Sequence, residues 1–164
     1  MSLVDPQRNL LHEVVGADHQ GLGSLLVELG RTPPTPGVIA ELVADVDHRA
    51  RVHMAVVERV LLPALGDGGH ARIIEEVVAN HDVVRHDLDR LVHPGDDREG
   101  AVRDLECDLA EQVAYEDDVV LPAVEAVAGS DGTDGLAFAY SRLADCGVRT
   151  PPAPAPGARD TSNR

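Results

Sequence analysis

Five polar side chains fall where a 3.6-residue helical period places the apolar stripe. His19 lines up with Val15, Leu22 and Leu26, and His53 with Val46, Ala50, Val57 and Val60. His81 lines up with Val77, Val78, Val84 and Leu88, while Gln112 and Glu116 fall among Leu105, Leu109 and Val119. Gln112 and Glu116 are four residues apart and therefore share a face. A carboxylate left in apolar surroundings without a partner costs several kcal/mol, against a total stability of about 5–15 kcal/mol. Something must compensate Glu116. Neutral imidazoles and a carboxylate on facing helices are the ligand set with which helical bundles hold iron, manganese or zinc. His19, His53, His81 and Glu116 are the predicted metal ligands, with Gln112 a weak neutral ligand or a hydrogen-bond donor. A metal-free hydrogen-bonded network is the alternative that the residues alone leave open.

The elements that must position these groups are legible in the punctuation. Asp5-Pro6 supplies a cap and a first-turn proline, and the apolar period then runs from Leu11 to Leu29 before Gly30 and "TPPTPG", predicting a first helix over 5–30. A second helix spans about 36–66 and stops at "GDGG". The third begins near His70 and breaks at "HPGDD"; the fourth covers about 97–128 and ends at "GSDGTDG". A shorter fifth segment, "LAFAYSRLADCG", follows as a cap on the bundle. Short loops between four long amphipathic helices imply antiparallel neighbours. The expected fold is all-α, an up-down-up-down four-helix bundle with a short fifth helix. Residues 1–147 form that one domain, and the proline-rich stretch 148–164 is expected to be a disordered tail.

Composition excludes several functions. The formal net charge of −15, from 14 basic against 29 acidic residues, repels phosphate backbones and argues against nucleic acid. No apolar run approaches 18 residues, no basic-then-apolar leader opens the chain, and a cytoplasmic protein without membrane contact is expected. Cys107 and Cys146 follow no metal or redox spacing. With no Trp, one Phe and two Tyr, stacking platforms for bases or sugars are nearly absent. Among the remaining histidines, His48 and His86 sit about 140° from an inward histidine and belong to a solvated face. His70 and His93 stand at helix ends. His12 shares the face of His19 two turns away, about 10 Å along the axis, where it could support the site or line a cavity.

The phrase "HMAVVERVLLPAL" at 53–65 returns 59 positions later as "QVAYEDDVVLPAV". Together with "DHQGLGSLLVEL" (18–29) and "NHDVVRHDLDRL" (80–91), these phrases resemble the four helices of hemerythrin-like, HHE cation-binding domains, over about residues 5–128. The resemblance implies a pair of similar helical hairpins facing one another around a metal centre. In that family the second helix supplies His plus Glu four residues on, and the fourth supplies His plus Glu or Asp, enough for two bridged irons. Here the matched pairs are His53 with Val57 and Gln112 with Glu116. One carboxylate and one imidazole are missing. Glu58 and Asp117 each stand one residue late for a ligand place. A further third-helix histidine of some members is Arg85, with His86 one place late.

The resemblance therefore implies a reduced site for non-haem iron or another divalent ion, one ion per chain in the first reading and an oxo-bridged pair in the alternative. Its partner would be dioxygen, nitric oxide, peroxide or the metal itself. A second reading is a metal-dependent oxidoreductase acting on an organic substrate in the bundle core. A third is a metal-free scaffold.

Overall fold

A computed structural model of the chain describes residues 10–31, 36–66, 69–93 and 97–147. The expected tail lies outside these residues, as does the predicted first turn over 5–9. Helices α1 (Leu10–Arg31), α2 (Pro36–Val56), α3 (Leu62–Leu65), α4 (Ala71–Val92), α5 (Arg98–Tyr115) and α6 (Leu121–Asp145) account for nearly all of them. Two single π-turns, Val57–Leu61 and Glu116–Val120, join α2 to α3 and α5 to α6 without interrupting the rods. Four rods result: α1, then α2 through α3, then α4, then α5 into the first turns of α6. α1 packs on α2 and α5, and α4 packs on the same two, so the rods close a square in chain order.

The repeated phrase explains the π-turns. Pro63 and Pro122 lack the N–H of an ordinary helical residue, and each ring clashes with the carbonyl four residues back. Widening one turn relieves the clash. The N–H of Leu62 donates to the carbonyl of Val57, and that of Leu121 to Glu116, both five residues back. The widened turn falls one helical turn past His53 in one hairpin and on Glu116 in the other. Such turns recur at functional sites.

Apolar packing divides into two blocks. One gathers Leu11, Val15, Val56, Val57, Leu61, Val120, Leu121 and Tyr140. The other gathers Leu22, Leu26, Val46, Ala50, Leu88, Leu105 and Leu109. Between them, at the height of His19, lies a layer of buried polar groups: His19, His53, His81, Gln112 and Glu116. Among the stripe residues expected inside, Val78 faces solvent, because α4 buries Val77, His81, Val84 and Leu88 on a narrower arc.

The expected fifth helix is present beyond the glycine-rich break. α6, Leu121–Asp145, is two helices that meet at Gly129, whose φ of 66° and ψ of 177° are not helical. Beyond that break the chain turns back to pack on α1, on the 57–61 turn and on α2. His48 and His86 are exposed, as the periodicity implied. His70 and His93 occupy cap positions, His70 without a side-chain capping bond. No helix among the described residues is long and apolar enough to cross a membrane.

Two glycines separate backbone strain from side-chain space. An added Cβ meets nothing within 4 Å at either Gly16 or Gly129. Gly16→Ala, within α1, is expected to raise stability by about 0.4–1 kcal/mol. Gly129→Ala, at positive φ, is expected to lower it by about 1–3 kcal/mol. Urea midpoints for the two variants check the opposite signs.

Candidate metal centre

Each rod delivers its polar group from the stripe predicted for it. His19 comes from the middle of α1, His53 from the last turn of α2, His81 from α4, and Gln112 and Glu116 from the end of α5 and the π-turn after it. His53, His81 and Glu116 are fully buried. All three imidazoles present Nε2 to the one carboxylate. His19 Nε2 lies 3.1 Å and His53 Nε2 3.1 Å from Glu116 Oε2. His81 Nε2 lies 3.2 Å from Oε1, to which Gln112 Nε2 also donates at 2.9 Å. The carboxylate thus has two histidines on one oxygen and a histidine plus an amide on the other.

Ligand atoms of His19, His53 and Glu116 all lie within 4.8 Å of one another, and the three residues form the one such group of potential metal-holding side chains among the described residues. His81 stands on the far oxygen, outside that group. The two aromatic rings of His19 and His53 meet edge to face, with centroids 5.0 Å apart.

Behind every ring stands another carboxylate. His53 Nδ1 donates to Asp18 Oδ2 at 3.0 Å and lies 2.8 Å from the hydroxyl of Tyr140, which itself donates to Asp18 at 2.8 Å. His81 Nδ1 donates to Glu58 Oε1 at 2.8 Å, and Arg85 bonds the same oxygen. His19 Nδ1 lies 3.2 Å from Asp117 Oδ1 but off the bonding line. Glu58 and Asp117, candidates for the centre itself, therefore occupy its periphery. Each is one residue past the inward position of its π-turn, and that rotation carries it to the back of a neighbouring ring. The two hairpins match in this respect, with Glu58 serving His81 and Asp117 serving His19.

Two other candidates stand apart from the cluster. His12 turns to Glu125, 2.7 Å away, and is half exposed. Two turns of α1 carry it past the layer to the bundle end. His86 is exposed on α4, because one residue beyond Arg85 points away from the square. Asp18 and Tyr140 were not anticipated. Asp18 adjoins His19 in sequence, but its partner is His53 on the next rod. Tyr140 is almost fully buried and comes from the fifth helix, and the signal available for it was rarity, as one of two tyrosines.

Electrostatics follow from this stacking. Burial opposes charge on His53, yet the Glu116 charge and the bond to Asp18 overcome it and raise the ring to about 10. Burial likewise opposes charge on His81, and its bonds to Glu116 and Glu58 raise it. Burial would push Glu116 up, but the His53 charge and the close approach of the three ring nitrogens hold it well below the ordinary carboxylate range. Asp18 is lowered against its own burial by His53 and Tyr140, and Tyr140 is raised by burial and by Asp18.

Besides His19 Nδ1, two buried atoms in the layer make no hydrogen bond: His53 Nε2, off the bonding line to Glu116, and the Gln112 carbonyl oxygen Oε1. Both are lone-pair donors of the kind a divalent cation accepts. A cation among the Nε2 atoms would replace the protons that otherwise neutralise Glu116, while Asp18 and Glu58 keep the rings of His53 and His81 in the tautomer that turns Nε2 inward. The donor set fits a metal ion.

A family model described as Hemerythrin HHE cation binding domain matches residues 10–124. No curated protein and no solved structure matches the chain.

The raised His53 carries a stability consequence with a definite sign. Its contribution is fully present below 6.5, the ordinary histidine value, and is lost as pH rises through about 10. Metal-stripped protein is therefore expected to lose stability across that interval. Glu116→Gln removes the charge that holds the proton, so the variant should lack this part of the slope, and its His53 ring should lose its proton well below pH 10. Urea unfolding against pH and imidazole nitrogen NMR check both.

Proposed function

The chain belongs to the hemerythrin HHE cation-binding family, and from that membership we propose that it holds one non-haem iron ion through which it binds or senses dioxygen, nitric oxide or peroxide. His19, His53 and Glu116 are the proposed ligands on one carboxylate oxygen, and His81 joins them from the other. The observation that carries the single-ion reading is the buried asymmetry of the two π-turns. Glu116 is one carboxylate with no exposed surface, and its counterpart in the other hairpin is Val57, buried to the same extent. A second ion would find neither a second inward carboxylate nor a fourth imidazole, since Gln112 stands where His53 has its counterpart.

Iron bound here would supply an open coordination position and a one-electron couple. What the chain's own groups do is separable from that. The three imidazoles enter as neutral ligands, which requires His53 and His81 to give up the protons they hold in the metal-free state. Asp18, Glu58 and Asp117 then face the remaining Nδ1 positions and orient the rings. Tyr140 supports Asp18 through its hydroxyl, and the apolar blocks above and below keep bulk water from the layer. Gln112 donates to Glu116 and keeps a free carbonyl oxygen, able to complete the ligand set.

The enzymatic reading has one observation in its favour. An apolar pocket of about 290 Å³ between α1 and α5, lined by Leu26, Leu109 and Val113, reaches His19. A pocket of that size exceeds what a diatomic molecule needs.

Protein produced in iron-supplemented medium is expected to contain one iron per chain by elemental analysis, without an oxo-bridge absorption band; two irons with such a band would replace the single-ion reading. His19→Ala, His81→Ala and Glu116→Ala should each lower occupancy at least tenfold, and full retention in any of them excludes that residue as a ligand. Because protons compete for the same nitrogens, apparent metal affinity should rise with pH from about 6 towards 10. Titration calorimetry in buffers of different ionisation enthalpy should report the released protons. An affinity independent of pH would remove His53 and His81 from the set.

A further inference from the structure

Where the C-terminal end of α1 meets the starts of α2 and α5, the structure opens a cavity of about 670 Å³. Its floor is apolar, built by Val27, Leu29, Ile39 and Val102. Its walls carry Arg31, Arg98 and Arg103 against Glu99 and Glu106. On a chain with 14 basic and 29 acidic residues, this wall reverses the prevailing balance. None of the three arginines is in an ion pair among the described residues. Arg98 Nε is buried and makes no hydrogen bond. A guanidinium N–H withdrawn from water with nothing to donate to is an unmet demand for an oxyanion, and the planar guanidinium fork suits a carboxylate.

The 290 Å³ apolar pocket continues from this cavity along the seam of α1 and α5, sharing Val27 and Glu106 with it and ending at His19. Gly23 keeps the seam open, since a Cβ added there would meet nothing within 4 Å. Arg31 and Gly23 are eight residues apart on one helix, about 12 Å along its axis, the span of an extended chain of about ten carbons.

We propose that the two pockets form one groove that binds a medium-chain monocarboxylate, its head on the arginines and its tail along Gly23 towards His19. Charge complementarity selects the head and the apolar seam selects the tail. The seam beyond the junction, lined by Leu26, Leu109, Ala110 and Val113, has little to replace the water of a second carboxylate, so the groove takes single-headed acids. Binding needs no metal, although the tail ends beside His19, one of the proposed ligands.

Titration calorimetry of hexanoate, octanoate and decanoate into the full chain, metal-stripped and metal-loaded, tests it. Affinity is expected to rise about fourfold per added methylene up to decanoate. 1-Decanol and decanedioate should each bind at least tenfold more weakly than decanoate. Arg98→Gln combined with Arg103→Gln should cost decanoate at least tenfold while leaving decanol unchanged. Gly23→Leu, on an exposed helical face where it favours the helix, should end the chain-length gain before ten carbons. Equal affinity for decanol and decanoate, a flat chain-length series, or no binding to the wild-type chain would each overturn the proposal. Elemental analysis of the same samples reports separately on the metal, so failure of one reading is distinguishable from failure of the other.

Discussion

A carboxylate with no exposed surface, faced by three imidazole nitrogens and an amide, is the constraint on which the rest of the molecule turns. Left alone in that position, the Glu116 charge would cost several kcal/mol, a large share of what a domain of this size has in hand. Its compensation is drawn from all four rods at once. Because His19, His53, His81 and Gln112 must reach the same two oxygens, the rods cannot slide past one another, and the two apolar blocks are held in register by the polar layer between them. A purely apolar core of valine and leucine would pack nearly as well one turn out of step. The layer removes that freedom.

The carboxylates outside the layer complete the design. Asp18, Glu58 and Asp117 each stand behind a ring whose front faces Glu116, so every imidazole has a carboxylate on two sides, and His81 is hydrogen-bonded to both of its own. The arrangement repeats across the two hairpins, and its origin lies in the two prolines. Each widens the turn before it and rotates the acidic residue that follows the inward position to the back of a neighbouring ring. Backbone geometry forced by a missing N–H thereby places side chains that no local hydrophobic period would specify.

What could be read from the sequence follows this division. The inward polar groups were legible because helical period is a one-dimensional property, and His19, His53, His81, Gln112 and Glu116 interrupt stripes that are otherwise apolar. Rod boundaries were legible because glycine and proline mark them. The places of Glu58 and Asp117 were not, since counting at 100° per residue assumes an unbroken helix and both lie within a π-turn. Tyr140 and Asp18 escaped for a different reason. Their importance lies in a contact across 122 residues, and neither spacing nor composition reports on a pairing between rods. His12 misled because it shares the face of His19, and a shared face says nothing about height in the bundle. The fifth helix was legible because glycine marks the end of the fourth rod, and Gly129 is where the backbone leaves helical geometry.

Tyr140 lies beyond residue 124, where the family match stops, yet its hydroxyl touches both Asp18 and the ring of His53. The hydrogen-bond network around His53 thus extends past the matched stretch. A last helix has been recruited as a brace against the second rod, and whatever disturbs its docking, from a bound partner to a cleavage after Gly129, is felt at a nitrogen two contacts away. The outermost element of the fold is wired to its innermost atom.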